Sequence, residues 1–113
     1  MSLPFTKMQA CGNDFVVIDD RGLALTGRES ALARRLCHRR LGVGADGVLI
    51  VRDGRSPGAF DMMLVNADGL QGEMCGNGAR CVAAWLRERG LGGPDAVVLE
   101  TLAGAVRATF GPH

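Results

Sequence analysis

The residues best suited to chemistry lie in one short stretch, Met74-Cys75-Gly76-Asn77-Gly78-Ala79-Arg80-Cys81. Apolar residues at helical spacing follow it as far as about Arg89, so Cys75 stands where a helix is predicted to begin. The unpaired N–H groups and the macrodipole of a helix start favour negative charge. We therefore expect the pKa of the Cys75 thiol to lie below its usual value of about 8.5, which makes a thiolate available.

The same stretch predicts an anion site. The main-chain N–H groups of Gly76, Asn77 and Gly78 can bind a carboxylate or a phosphate, and the glycines allow its oxygens to approach the backbone closely. A thiolate could attack an acyl or disulfide centre, or remove an acidic proton. A base held beside a bound α-carboxylate is suited to removing the adjacent C–H proton.

Two further observations bear on that chemistry. Thiol proteases and acyltransferases normally pair the cysteine with a histidine, and neither His38 nor His113 is obviously placed to assist. The amides of Asn13 and Asn66, with that of Asn77, would provide uncharged donors and acceptors for a polar substrate. Asn13 also has a plainer interpretation, since an asparagine in its position can close a turn on its own backbone.

Two of the other cysteines, Cys37 and Cys81, are interpreted as structural. Cys37 and Cys81 fall on or beside apolar helix faces, where packing is expected. The spacings form no Cys-x-x-Cys pair, and Cys37 beside His38 makes a poor zinc clamp, so no metal is expected. The N-terminus has no pattern of a secretory signal, so we expect reduced thiols and a cytoplasmic location.

Length and composition set broad limits. The chain has 113 residues, 47% of them hydrophobic and 22% charged, as expected for one small globular domain. A net charge of +1 and an aromatic content of 4% disfavour binding to nucleic acid or to a membrane surface. No apolar stretch approaches the length of a membrane span.

The elements that must position these residues can be predicted in order. Two helices are expected, one opened by a capping box at Thr26-Gly27-Arg28-Glu29 and reaching about Arg39, the other running from the cysteine turn to about Arg89. Six strands are expected, the first two and the last two as hairpins: 5–9, 15–19, 48–51, 60–66, 96–101 and 105–110. This order predicts an α+β domain with a mixed or mainly antiparallel sheet, and not a doubly wound parallel one.

Five separated motifs carry a resemblance to a known family. They are Phe5-Thr6-Lys7-Met8-Gln9, Gly12-Asn13-Asp14-Phe15-Val16-Val17-Ile18-Asp19, Gly42-Val43-Gly44-Ala45-Asp46-Gly47, Asn66-Ala67-Asp68-Gly69 and Glu73 to Cys81. In this order they resemble the N-terminal half of diaminopimelate epimerase. Proline racemases also have a Met-Cys-Gly turn, but with histidine at the position of Asn77.

The resemblance implies an isomerase that interconverts LL- and meso-diaminopimelate in lysine and peptidoglycan synthesis, without pyridoxal phosphate, metal or other cofactor. It implies a sheet wrapped on a central helix in one half of a two-domain fold, and a homodimer. Two cysteines act on opposite faces of the α-carbon, and Cys75 matches the first of them. Gly76 and Asn77 match the main-chain carboxylate cradle, and Asn13 and Asn66 match the substrate-binding asparagines.

The sequence departs from the family pattern in three ways. Many members have glutamine at the position of Gly47. Cys11 occupies a variable position and is not expected to be the second catalytic cysteine, which lies in a Cys-Gly-Thr/Ser turn of the second half. That second half is not part of these 113 residues, so residues 1–113 correspond to an N-terminal domain.

Three functions therefore remain open at this point. The first is the N-terminal domain of an epimerase, or of a related cofactor-independent amino-acid racemase. The second is a non-catalytic amino-acid-binding domain that keeps the cradle. The third is self-pairing, in which two copies each contribute one Cys75 to a shared site.

Overall fold

The computed structural model describes residues 4–10, 12–73, 76–93 and 95–109. Its elements are β1 (Thr6–Ala10), β2 (Asn13–Asp19), α1 (Glu29–Cys37), β3 (Gly47–Asp53), β4 (Ala59–Asn66), β5 (Gln71–Gly72), α2 (Gly76–Glu88), β6 (Ala96–Thr101) and β7 (Gly104–Thr109). The predicted α+β class is confirmed. Neither helix of this described part is long and apolar enough to cross a membrane.

The strands form one mixed sheet in the order β1-β2-β3-β4-β6-β7, with the short β5 also paired to β4. The pairs β2/β3 and β4/β6 are parallel, and the other pairs are antiparallel. Both predicted hairpins are present, as β1/β2 and β6/β7. Strand β5 was not predicted from the sequence, because two paired residues carry no periodicity.

The two helices cover opposite faces of the sheet. Side chains alternate between faces along each strand, so Phe15 and Leu64 pack with α2 while Val16 and Val65 pack with α1. Helix α2 contacts β1 and β7 as well as β2, β3 and β4. The sheet therefore curves around α2, as the prediction of a sheet wrapped on a central helix requires.

The predicted capping box at the start of α1 is wrong. Gly27 has φ of +84°, which is not helical, and the Thr26 hydroxyl donates to the carbonyl of Leu23 at 3.0 Å. Arg28 is the N-cap residue and makes no side-chain capping bond. The helix therefore begins at Glu29, whereas a capping box with Thr26 as the N-cap residue would start it two residues earlier.

A buried ion triad attaches the start of α1 to the sheet. Arg52 donates from Nε to Asp20 Oδ2 and from Nη2 to Glu29 Oε2, both at 2.9 Å. Asp20 is 4% exposed and also accepts the N–H of Leu25. Each charge is paired and hydrogen-bonded, and removing Arg52 would leave the buried Asp20 carboxylate without a cation.

Asp61 of β4 lies on the α1 face and gives a pH-dependent prediction. Burial raises the pKa of this carboxyl, with Arg52 opposing the rise and Glu100 adding to it. The folded state thus holds this proton more tightly than the unfolded chain, and stability is lost as pH rises from the ordinary value through the raised pKa. We expect Asp61→Asn to raise the free energy of unfolding at pH 7, because the asparagine carries no charge to bury.

Urea unfolding at pH 7 and at pH 3.5 checks this expectation. The advantage of Asp61→Asn should disappear at the lower pH, where wild-type Asp61 is protonated. Asp95→Asn, at an exposed position before β6, is the control and should show no such pH-dependent gain. A variant less stable than wild type at pH 7 would contradict the assignment.

Candidate functional site

Three strand ends meet at one edge of the sheet. Strands β2 and β3 are parallel and β4 runs against them, so β2 and β3 start where β4 ends. Phe15 is the register partner of Gly47, and Gly47 is the partner of Asn66. Asn13 lies two residues before Phe15. The structure therefore brings the two predicted asparagines to the same edge of the sheet, although 52 positions separate them in the sequence.

Both asparagines lie on the face that carries α2. Residues two positions apart on a strand have their side chains on the same face of the sheet. Asn13 therefore shares a face with Phe15, and Asn66 shares a face with Leu64. The side chains of Phe15 and Leu64 both pack with α2. The Asn66 amide nitrogen is also near β5, because a Cβ on Gly72 would lie 3.1 Å from it. Strand β5 thus ends beside Asn66, four positions before the first residue of α2.

The turn after β4 holds Asn66 by its backbone. Its N–H donates to the carbonyl of Leu70 and its carbonyl accepts from Gly69, both at 2.9 Å. Gly69 has φ of +88°, a conformation that favours glycine. Asp68 accepts the N–H of Leu70 at 2.9 Å and closes the turn from its other side.

Helix α2 begins on the side of the sheet where β2 and β3 start and β4 ends. Arg89, just beyond its last turn, donates to the Thr6 hydroxyl at 3.1 Å, and Thr6 pairs with Val17 toward the opposite edge. At the other end, Gly76 follows Gly72 by four residues, which limits their separation to about 14 Å. The first turn of α2 has no acidic side chain to occupy its N–H groups.

The predicted site residues fall into two groups. Asn13, Asn66, Gly76 and Asn77 are described, and the strand register and the helix start bring them to one side of the molecule. Among the described residues, no hydrogen bond engages the side-chain amides of these three asparagines. Cys75, predicted to be the reactive thiol, lies outside the described residues, as do Cys11 and His113.

The expectation that Cys37 and Cys81 are packed is confirmed. They are 4% and 3% exposed, on α1 and α2 respectively. Burial raises the pKa of the Cys37 thiol, with Arg39 opposing and Asp46 adding to the rise. Within the described residues, no three His, Cys, Asp or Glu side chains lie close enough together to hold a metal ion.

Gly47 occupies the middle of the row between Phe15 and Asn66. A Cβ there would lie 3.1 Å from Leu64 Cδ1, 3.3 Å from the carbonyl oxygen of Val65 and 3.6 Å from Phe15 Cδ1. Leu64 and Phe15 therefore fill the space where a side chain would begin. A glutamine at this position would require Leu64 to move.

A comparison with protein-family models identifies the family. The diaminopimelate epimerase model matches residues 5–111, which is nearly the whole chain. The chain belongs to the diaminopimelate epimerase family. All five motifs that carried the resemblance fall inside this match.

Individual members of the family are also similar to this chain. The diaminopimelate epimerase of Albidiferax ferrireducens is 45% identical over 99% of the chain, and that of Acidovorax ebreus is 49% identical over 94%. These matches cover only 38% and 36% of the relatives' own lengths. The chain thus spans well under half of the curated relatives it matches.

Solved structures extend the likeness of fold. A Bacillus anthracis protein of the phenazine biosynthesis PhzF family has a TM-score of 0.69 at 22% identity, over 98% of this chain and 36% of its own. A probable proline racemase from Agrobacterium radiobacter has a TM-score of 0.68 at 22% identity, over 97% and 38%. At these identities the similarity establishes the fold alone.

Thiol reactivity tests the predicted site directly. We expect iodoacetamide to alkylate Cys75 at neutral pH at least about tenfold faster than Cys37 or Cys81, because only Cys75 precedes a helix start while the other two are buried. Peptide mass spectrometry over time measures the three rates. In 8 M urea, the control condition, the rates should converge, since burial and the helix dipole are then lost. Equal rates in the folded protein would contradict the site.

Proposed function

We propose that residues 1–113 form the N-terminal domain of a diaminopimelate epimerase and bind diaminopimelate at the edge of the sheet where Asn13, Asn66 and the start of α2 meet. The family match supports the reaction. The observation that carries the location is the strand register, which aligns the ends of β2, β3 and β4 on the face of α2.

In this proposal the main chain at Gly76 and Asn77 binds the α-carboxylate. N–H groups in the first turn of a helix have no intrahelical acceptor and point toward an anion. The amides of Asn13 and Asn66 donate to and accept from the polar groups of the same substrate. Their lack of other hydrogen bonds within the described residues is consistent with this use.

Cys75 is the proposed base for one face of the α-carbon. Its thiolate takes the α-proton and becomes a thiol, and the electron pair of the broken C–H bond passes to the substrate carbon and its carboxylate. A second thiol then protonates the opposite face and becomes a thiolate, so charge and protons balance. Fixed N–H dipoles around the carboxylate stabilise the developing negative charge. The reaction proposed here requires no cofactor.

The second thiol is proposed to come from outside these 113 residues. The matched relatives are more than twice as long as the chain, and the remainder has room for a second domain. Self-pairing of two copies is the alternative source. We further propose a cytoplasmic homodimer that acts on this small substrate and binds neither nucleic acid nor membrane.

A non-catalytic amino-acid-binding domain is the competing function. It has the same cradle and the same asparagines, so ligand binding alone does not distinguish it from the epimerase. Exchange of the α-proton with solvent does distinguish the two functions. With one thiol, the α-proton of LL-diaminopimelate is replaced by deuterium from solvent on the same face, and no meso isomer is formed.

Asn66→Leu tests the binding site. We expect calorimetry to show meso-diaminopimelate binding to the wild-type chain and about tenfold weaker binding to Asn66→Leu, the loss expected for one hydrogen bond to a charged group. Gln71→Leu is a matched control, because Gln71 pairs with Val65 and so lies at the same edge on the opposite face. Equal losses in the two variants would contradict the site.

The catalytic role is tested in deuterated water. Proton NMR should show loss of the α-proton signal of LL-diaminopimelate with the wild-type chain and with Cys11→Ala, but not with Cys75→Ala. Binding without any Cys75-dependent exchange would favour the non-catalytic domain. Appearance of the meso isomer with the chain alone would favour self-pairing.

A further inference from the structure

Next to Asn13, an ionic network joins Asp14 and Asp46 with Arg39 and Lys7. The N–H of Asp14 donates to Asp46 Oδ2 at 2.7 Å, and the N–H of Asp46 donates to the carbonyl of Asp14 at 2.9 Å. Arg39 donates to Asp46 Oδ1 at 3.1 Å and lies 3.5 Å from Asp14 Oδ2. Lys7 is 3.9 Å from the same Asp14 oxygen.

The network begins where the pairing of β2 with β3 ends, while β1 still pairs with Asp14 and Asn13 on the other side of β2. Strand β3 starts at Gly47, the partner of Phe15, so Asp14 has no strand residue of β3 beside it. The Asp46 carboxylate takes the place of that missing partner by accepting the N–H of Asp14. On its β3 side, β2 is thereby held as far as Asp14, the residue adjacent to Asn13.

The network acts through the backbone and not by contact with a ligand on the α2 face. Asp14 has the parity of Val16, whose side chain packs with α1, whereas Asn13 has the parity of Phe15 on the α2 face. The carboxylate of Asp14 therefore lies on the face opposite the two asparagine amides. What the network can control is the position of the main chain at residues 13 and 14.

The loop after α1 places Arg39 beside Asp14 and Asp46. Gly44 has φ of +78°, and a Cβ there would lie 3.2 Å from Cδ of Arg39. A Cβ on Gly42 would collide with the carbonyl oxygen of Arg35. His38 Nδ1 accepts the N–H groups of Arg40 and Leu41 at 3.1 and 3.0 Å. The two bonds to His38 tighten the turn that carries Arg39, and the two glycines let the chain pack closely there.

We propose that Asp46 is a positioning residue for Asn13: its carboxylate, oriented by Arg39, fixes the backbone of Asp14 and so directs the Asn13 amide into the binding edge. This role rests on the proposed binding of diaminopimelate at that edge. Asp46 touches no reacting atom. Its contribution is to hold the start of β2 on the side of β3, since β1 pairs with the other side.

Asp46→Asn tests the role with little change in shape. One carboxylate oxygen becomes an NH₂ donor, so the side chain can no longer accept from both the Asp14 N–H and the Arg39 guanidinium. We expect hydrogen exchange of the Asp14 amide to accelerate at least about tenfold, with exchange at Ile18 in the same strand unchanged. We expect affinity for meso-diaminopimelate to fall about fivefold.

A spectroscopic measurement separates positioning from general stability. ¹⁵N relaxation of the Asn13 side-chain amide should show greater motion in Asp46→Asn, while the Asn66 amide is unchanged. Asp53→Asn is the matched control, an exposed aspartate at the end of β3 opposite to the end that Asp46 precedes, and it should change neither amide exchange at Asp14 nor affinity.

The outcomes are separable. Unchanged Asn13 relaxation or unchanged affinity in Asp46→Asn, with wild type binding the ligand, would overturn the positioning role. Equal effects in Asp53→Asn would also overturn it. If the wild type binds no diaminopimelate, the proposed function of this chain fails. In that case, hydrogen exchange of the Asp14 amide and relaxation of the Asn13 side-chain amide still decide whether the network holds the start of β2.

Discussion

The burial of α2 against the curved sheet is the packing interaction on which the rest of the site depends. Val82 and Leu86 are fully buried and Trp85 is 2% exposed, so the helix is fixed by its apolar stripe. Arg89 stacks over the Trp85 ring at 4.0 Å and binds Thr6, which holds the last turn at β1. With that end fixed, the N–H groups of the first turn are directed to the side where β2 begins and β4 ends.

Strand direction supplies the second constraint. A purely antiparallel hairpin series would place the starts of β2 and β3 at opposite edges, and Asn13 could not share an edge with both Gly47 and Asn66. The parallel pairing of β2 and β3 requires a crossover, which α1 provides on the face opposite α2. The two helices thus have different tasks. Helix α1 sets the direction of the strands, and α2 provides the proposed anion cradle.

The sequence predicted the elements whose signals are local. The two hairpins, the apolar stripe of α2 and the packing of Cys37 and Cys81 all follow from periodicity and turn residues. The capping box failed because Gly27 adopts a positive φ that a short motif does not reveal. The parallel pairing of β2 with β3, strand β5 and the contacts of Arg39 with Asp14 and Asp46 depend on residues distant in sequence or on single backbone bonds.

The residues of the candidate site also differ in whether local sequence signals could predict them. Cys75, Gly76 and Asn77 could be proposed from helix-start physics alone, whereas Asn13 could not be separated from a turn asparagine without the resemblance. Asp46 lies in one of the five family motifs, but nothing in that motif indicated its contact with Asp14. Gly47 illustrates the opposite limit. The sequence shows that it lacks a side chain, but only the packing of Leu64 and Phe15 shows that the space is already filled.

An NMR titration of the ¹⁵N-labelled chain with meso-diaminopimelate tests most directly whether the ligand binds where Asn13, Asn66 and the start of α2 meet. If diaminopimelate binds at this edge, we expect saturable shifts at the main-chain N–H groups of Gly76 and Asn77 and at the side-chain amides of Asn13 and Asn66, all fitted by one dissociation constant. Shifts confined to the opposite edge of the sheet, around Thr6 and Arg89, would contradict it.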